Sequence, residues 1–442
     1  MVDLHAKLYP AHVTERQAKA EAILAATGFD ALVIQSGVPF TYYSDDQDAP
    51  FKSTPHFAHW VPLEGPQHLL CIRAGKKPLL VRVKPEDYWY EQTSVGTPYW
   101  LEEFEFREVP DEAAAWKEVA PQGKTAYLGD TPLAAQKHGI AANACNPAEL
   151  VARLDWDRAL KSPYEVACMD EASKLGGRGH LAARGAFLDG NSEIEIHTKY
   201  VAGVGCLEKD LPYETIVALD AHGATLHYTG KRTQKNGRVL LIDCGAKFMG
   251  YASDITRTYA TRGIERAFGE IHKGLDLVQL ELCKMVKPGV PYLAIHEAAH
   301  ERIADLLKRA GVIKLGGKEA VEAGITQPFF PHGVGHFLGL QVHDVGGRQK
   351  APEGGTVPPP PQYPYLRTTR VIEENQVFTI EPGVYFIEML LRPHREGPKK
   401  ELFAWDVIQH LFAHGGVRIE DNLLVTEGDP VNLTAAIPKT LG

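Results

Sequence analysis

The chain has 442 residues, 44% of them hydrophobic and 23% charged, which is the balance of a globular protein and excludes a disordered or fibrous one. A formal net charge of −9 and a pI near 6.1 argue against a nucleic-acid partner, which would call for a basic face. No apolar run approaches the ~20 residues that span a bilayer, and the N-terminal MVDLHAKLYPAHV, with Asp3, His5 and Lys7, lacks the apolar segment of a secretory signal.

Six scattered cysteines with no C-x-x-C pair read as reduced thiols. The expectation is a soluble cytoplasmic protein with no membrane partner. In chain order, residues 13–28 predict an amphipathic helix closed by Gly28. Ala31–Ile34 reads as a buried strand. His68–Ile72 and Pro78–Val83 read as two more around a Gly-Lys-Lys turn, and Ala126–Leu128 as a fourth before a helix over Pro132–Ala142. This alternation predicts a small α/β domain, assigned to residues 1–158, with a second domain over 159–442.

The second domain opens on Ser162-Pro163-Tyr164-Glu165. Ser162 suits the N-cap, Pro163 the first helical position and Glu165 the reciprocal acid of a capping box. The helix runs to about Gly185, and a second helix spans Asn191–Val204 with Ser192 as cap and Glu195 three residues on. Beyond residue 212 the pattern changes to short β-like runs: Ile216–Leu219, Val239–Ile242, Ser253–Tyr259, Val377–Ile380 and Val417–Ile419. Two helices interrupt them, about Glu265–Val286 and Tyr292–Ala310. Ala351–Pro364, with four consecutive prolines, reads as a stiff loop. The whole is α+β.

The chemistry lies at the ends of those runs. Asp243 follows Val239–Ile242, and Asp254 lies in the next alternating segment, across a hairpin expected at Lys247–Gly250. Glu381 follows Val377–Ile380, and Glu420 follows Val417–Ile419. Four acids with partly buried backbones are costly unless paired or bound to metal, and divalent cations resolve their mutual repulsion. Between them lies HGVGHFLGLQVHD, with His332, His336 and His343 among glycines that allow close backbone approach. Mixed carboxylate and imidazole donors suit Mn²⁺, Co²⁺, Fe²⁺ or Zn²⁺ better than an all-oxygen Ca²⁺ site.

The stretch IDCGAKFMGYASDITRTY, then HGVGHFLGLQVHD, TIEPG and RIEDN, in that order, resembles the pita-bread metallopeptidases, the family of methionine aminopeptidase, aminopeptidase P and prolidase. The resemblance covers roughly residues 160–442 and implies a pita-bread catalytic domain. Within the family the chain is most similar to prolidases, the Xaa-Pro dipeptidases. The carriers are Leu366–Arg370 before TIEPG, Tyr385-Phe386-Ile387 after it, and a long insertion between Glu381 and Glu420. Residues 45–60 and Asp87-Tyr88-Trp89 resemble the bacterial prolidases known as organophosphorus acid anhydrolases.

The resemblance implies two divalent metal ions, Mn²⁺ first, held by Asp243, Asp254, His336, Glu381 and Glu420, with Asp254 and Glu420 shared between them. Glu381 would also be the general base. His343 would polarise the scissile carbonyl or steady the tetrahedral intermediate, and His227 would contact the substrate near the scissile amide. His332 and Arg367 would hold the dipeptide carboxylate, and Arg418 would support the Glu420 region. A proline-selective site also needs a pocket for the ring. Tyr213 and Tyr292 are candidates for its wall, with core packing as the alternative reading. The implied substrate is a small Xaa-Pro dipeptide, the nearest rival activity being that of aminopeptidase P on longer peptides and the remote one a non-catalytic pita-bread binding module. Organophosphorus triesters are an implied side substrate. A homodimer is implied too, in which Asp46 or Trp89 would help cover the neighbouring site.

Overall fold

The structure, a computed structural model, describes residues 4–89 and 91–439; Asp3 lies outside them. Two compact units divide the chain. One comprises Met1–Arg158, Ser162–Ala167 and Lys350–Gly355, and the other Ala159–Lys161, Cys168–Gln349 and Thr356–Gly442.

The first unit is built on five strands, β1 (Ala31–Gln35), β2 (Leu69–Arg73), β3 (Leu79–Val83), β4 (Glu105–Val109) and β5 (Thr125–Leu128), in the order β4-β3-β2-β1-β5. β1 is antiparallel to β2 and parallel to β5, so the sheet is mixed. β1 is buried along its whole length, which is why it reads as an unbroken apolar run. β4 was not foreseen. It lies at the sheet edge and exposes most of its side chains, so it carries no strong hydrophobic signal.

Two helix boundaries differ from expectation. The first helix spans Leu4–Thr27, starting nine residues before the expected residue 13 and running through Pro10. Burial overrides the proline: Tyr9 and Val13 are in the core, and His12 bonds Ser162 and the His59 carbonyl, each at 2.8 Å. The helix expected over Pro132–Ala142 stops at Lys137, because Gly139 turns to φ +88°.

The capping box at Ser162 forms as expected. Ser162 N donates to Glu165 Oε2 at 2.9 Å, and Glu165 N donates to Ser162 Oγ at 3.4 Å. The helix extends over Pro163–Leu188, past Gly185. The next helix, Glu193–Val204, has the Ser192–Glu195 box.

In the second unit Val239–Asp243 lies between Thr256–Ala260 and Ile216–Leu219, antiparallel to both. A second sheet places Asp421–Leu424 between Val377–Ile380 and Val431–Asn432. The helices Arg266–Lys284 and Tyr292–Arg309 pack into the same apolar core as Phe378, Ile380 and Val417. Lys247–Phe248 and Tyr251–Ala252 form the expected hairpin. Met249 and Gly250 both have positive φ, as a two-residue hairpin turn requires.

Two expectations need correction. The run Ser253–Tyr259 is not one strand: pairing breaks over 253–255 and resumes at Thr256–Ala260, so Asp254 sits in the break. There Cys244 N bonds the Ile255 carbonyl and Ser253 N bonds the Ala246 carbonyl, a local irregularity that re-aims the side chain between them. The loop Ala351–Pro364 is not structureless at its start, because Gln349–Ala351 and Gly354–Thr356 pair as a hairpin. Gly354 and Gly355 supply the positive φ that the prolines nearby obscured in the sequence.

Candidate metal centre

Strand register brings the acids together. Asp243 ends its strand opposite both Thr256 and Ile216. Ile380 pairs with Asp421, so Glu381 and Glu420 leave their strands at the same end. Thr256 bridges Glu420 and thereby ties the two carboxylate pairs to one place.

His336 stands in their midst. Its Nδ1 bonds the Phe337 carbonyl at 2.9 Å, so Nδ1 donates there and Nε2 is the nitrogen turned toward the acids. Nε2 lies 3.3 Å from Asp254 Oδ2, 3.7 Å from Glu381 Oε1 and 3.9 Å from Glu420 Oε1. Donor atoms of Asp254, His336 and Glu420 fall within 4.8 Å of one another, and all three residues are buried. Glu420 Oε1 has no hydrogen-bond partner among the described residues. A buried carboxylate oxygen left without a donor, beside an imidazole nitrogen, is a donor set that fits a divalent cation.

The electrostatics agree. Burial pushes Glu381 up to about 7. Burial, then the neighbouring Asp254, Glu381 and Asp243, push Glu420 well above the carboxylate range. Asp243 is raised by burial against the pull of Arg418. Burial works on Asp254 in the same direction, yet its hydrogen bond to His336 wins and holds it low. Four acids cannot all stay ionised here without added positive charge.

Several supporting groups were not singled out in the sequence. Thr256 Oγ1 donates to Glu420 Oε2 at 2.8 Å. Its signal was present, since Thr256 follows Asp254 by two residues in an alternating run. The Tyr385 hydroxyl accepts from Arg418 at 2.7 Å and bonds His332 Nε2 at 2.9 Å; no local pattern reveals that.

The cleft in front of the acids has a volume of about 510 Å³. His227, His332, His343, Arg367 and Arg418 line it together with all five candidate ligands. His343 stands edge-to-face on His336 with ring centroids 4.4 Å apart. His332 is bonded at both nitrogens, to the Gly333 carbonyl at 2.8 Å and to Tyr385, so a substrate group would have to displace one of these bonds. Burial holds His332 down at about 3, and its ring is neutral.

Three further residues find particular partners, Tyr292 by the alternative reading of core packing. Tyr292 does not reach the cleft: it is fully buried, its hydroxyl bonds the Thr379 carbonyl at 3.0 Å, and its ring packs on Phe378. Tyr213 is not a pocket wall. Its hydroxyl sits behind the acids, 2.8 Å from Asp243 Oδ1 and 2.6 Å from Asp254 Oδ1. Arg418 supports Asp243 more directly than Glu420, with Nη2 2.6 Å from Asp243 Oδ2.

Residues 167–427 match the model of "Metallopeptidase family M24", and residues 7–156 match that of "Xaa-Pro dipeptidase, N-terminal domain". The chain is 42% identical over 435 residues to an Xaa-Pro dipeptidase of Stenotrophomonas maltophilia, covering 97% of each chain. It is 42% identical over 434 residues to an Xaa-Pro dipeptidase of Pectobacterium carotovorum, covering 97% of this chain and 98% of that one. Among solved structures it is similar to aminopeptidase P of Escherichia coli (TM-score 0.74, 23% identity) and to aminopeptidase PepP of Pseudomonas aeruginosa (TM-score 0.75, 22% identity), each match covering 97% of this chain and 96% of the other. These last two show the fold, the pita-bread architecture foreseen from the motifs. With the family model spanning more than half of the chain and relatives at this identity along nearly its full length, the chain belongs to metallopeptidase family M24.

Proposed function

We propose that this enzyme is a two-metal Xaa-Pro dipeptidase whose ligands are Asp243, Asp254, His336, Glu381 and Glu420. The observation that carries the reading is the convergence of buried Asp254, His336 and Glu420, with Asp243 and Glu381 at the margin, in a cleft that also presents Arg367. The relatives at 42% identity carry the name of that activity. Bound divalent cations would supply Lewis acidity toward a carbonyl oxygen and bring the pKa of water from ~15.7 towards ~7.

The residues of the chain do the rest. Glu381 takes a proton from the attacking water and passes it to the departing nitrogen. His343 donates toward the oxygen on which charge develops. An Xaa-Pro bond has no N–H to recognise, so selectivity rests on shape and on the free carboxylate. Arg367 is exposed at the cleft, and its planar fork suits that carboxylate. His227, exposed at the same cleft, contacts the substrate beside it. Manganese is the proposed metal.

A cytoplasmic setting agrees with six cysteines that form no disulfide. No helix among the described residues is long and apolar enough to cross a membrane. A homodimer agrees with the exposed aromatics of the first unit, Phe40, Tyr43 and the Tyr88–Trp89 pair, whose rings lie 4.9 Å apart. Steady-state hydrolysis of Ala-Pro and of Ala-Pro-Ala, each with and without added Mn²⁺, tests the reading. The expected result is metal-dependent cleavage with a preference for the dipeptide. Preference for the tripeptide would assign the aminopeptidase P activity instead. Phosphotriester turnover is a proposed side activity, and equal rates in wild type and Asp243→Asn would dismiss it.

A further inference from the structure

Leu226 and His227 reach the cleft from a segment without regular structure between Thr225 and Gly237. Such a segment has no ladder to hold it, and His227 itself is exposed. Beyond Arg232 the Asn236 N bonds the Gly190 carbonyl at 3.1 Å, and around His227 itself one buried carboxylate gathers the chain. Glu193, the first residue of the helix Glu193–Val204, is 1% exposed. Its Oε1 accepts from Leu219 N at 2.8 Å and lies 2.6 Å from His222 Nδ1. Its Oε2 accepts from the Tyr228 hydroxyl and from Arg232 N, each at 2.7 Å. Each oxygen therefore has two partners, drawn from residues on both sides of His227. The rings of His222 and Tyr228 also stack, with centroids 4.7 Å apart and planes 16° from parallel, which closes the base of the loop.

We propose that Glu193 is a positioning residue for His227: its four-bonded carboxylate clamps Leu219, His222, Tyr228 and Arg232 and thereby fixes where His227 meets the substrate. The arrangement exceeds what helix capping requires. That task already falls to Ser192 and Glu195, whose box is complete without Glu193. The charge is also specific, since an amide at this position could not accept from four donors. Burial works against the ionised form, but bonds from Leu219, Arg232, His222 and Tyr228 outweigh it, and the carboxylate is held below its usual range. A clamp outside the cleft can matter greatly, because a displacement of about 1 Å in a reacting group can cost about 100-fold.

The inference rests on the reading that His227 contacts the substrate, and the test separates the two. Ala-Pro hydrolysis with saturating Mn²⁺ is measured for wild type, Tyr228→Phe, Glu193→Gln, His227→Ala, and each clamp variant combined with His227→Ala. Tyr228→Phe removes one bond and keeps the ring, so it guards against a variant that fails to fold. The expected loss in kcat/KM is about ten-fold for Glu193→Gln and about three-fold for Tyr228→Phe, carried mainly by KM. In the His227→Ala background either change should cost less than two-fold, because the clamp then has nothing left to place. Equal losses in both backgrounds would overturn the clamp as a device acting through His227, and so would full activity in Glu193→Gln. Unchanged kcat/KM in His227→Ala alone would instead refute the role of His227, and the inference with it.

Discussion

Replacing Tyr213 by Phe isolates one oxygen atom at the candidate metal centre. The Tyr213 hydroxyl lies 2.8 Å from Asp243 Oδ1 and 2.6 Å from Asp254 Oδ1. Burial, and then the charges of Asp243 and Asp254, push its pKa far up, so the phenol stays protonated and acts as a donor. A hydrogen bond to a charged group contributes about 1.5–3 kcal/mol. At ~1.4 kcal/mol per decade, losing it should weaken divalent metal binding roughly 10- to 100-fold, the range typical of groups that orient ligands from behind. The ring remains, so packing changes little. The assay is competition between the protein and a chelator of known affinity, titrated with Mn²⁺ and read as bound metal rather than as activity. Metal affinity within two-fold of wild type, with the same unfolding midpoint in the metal-free state, would show that Tyr213 does not order these carboxylates and would refute the reasoning.

Gly335→Ala should abolish stoichiometric metal binding and lower the unfolding midpoint, both read on the purified protein, because a Cβ there would collide with the Thr379 carbonyl and the Tyr292 hydroxyl beside His336. Asp421→Asn should destabilise the protein by about 3–5 kcal/mol in urea unfolding. It would leave Arg257 at 2.8 Å and Lys439 at 2.8 Å without their shared buried counter-ion; a loss under about 1 kcal/mol would argue against this ion cluster. His68 in the first unit is buried and accepts a bond from Val83 N on Nδ1, which requires a neutral ring. Burial holds its pKa at about 4, below the unfolded value of about 6.5. In that window the unfolded chain binds the extra proton, so stability should fall by up to about 3 kcal/mol as pH drops from 6.5 to 4. His68→Gln should flatten that dependence in thermal unfolding, and identical slopes would count against it.

The order and spacing of the candidate ligands were legible in the sequence because the candidate site sits at strand ends, where an apolar run stops at an acid. Asp243, Glu381 and Glu420 each follow such a run, and the capping boxes at Ser162 and Ser192 announce themselves by local chemistry alone. Local pattern could not reveal what depends on distant partners. Residues 4–12 join the first helix through buried contacts with His59 and Ser162, against the signal of Pro10. Asp254 looked like a strand residue but lies in a break between two pairings.

The sequence by itself therefore determined the two-domain α+β plan, the candidate metal donors and the family to which they point. Only the tertiary structure decided what surrounds them. It withdrew Tyr292 into the core, set the Tyr213 hydroxyl between two carboxylates, gave Arg418 to Asp243, and placed Glu193 under the loop of His227. The physical reason is the range of the interactions. Periodicity, capping and turn chemistry act over a few residues and are written locally. A buried hydroxyl or carboxylate finds its partners across tens to hundreds of residues, as Thr256 finds Glu420, and that pairing exists only once the chain has folded.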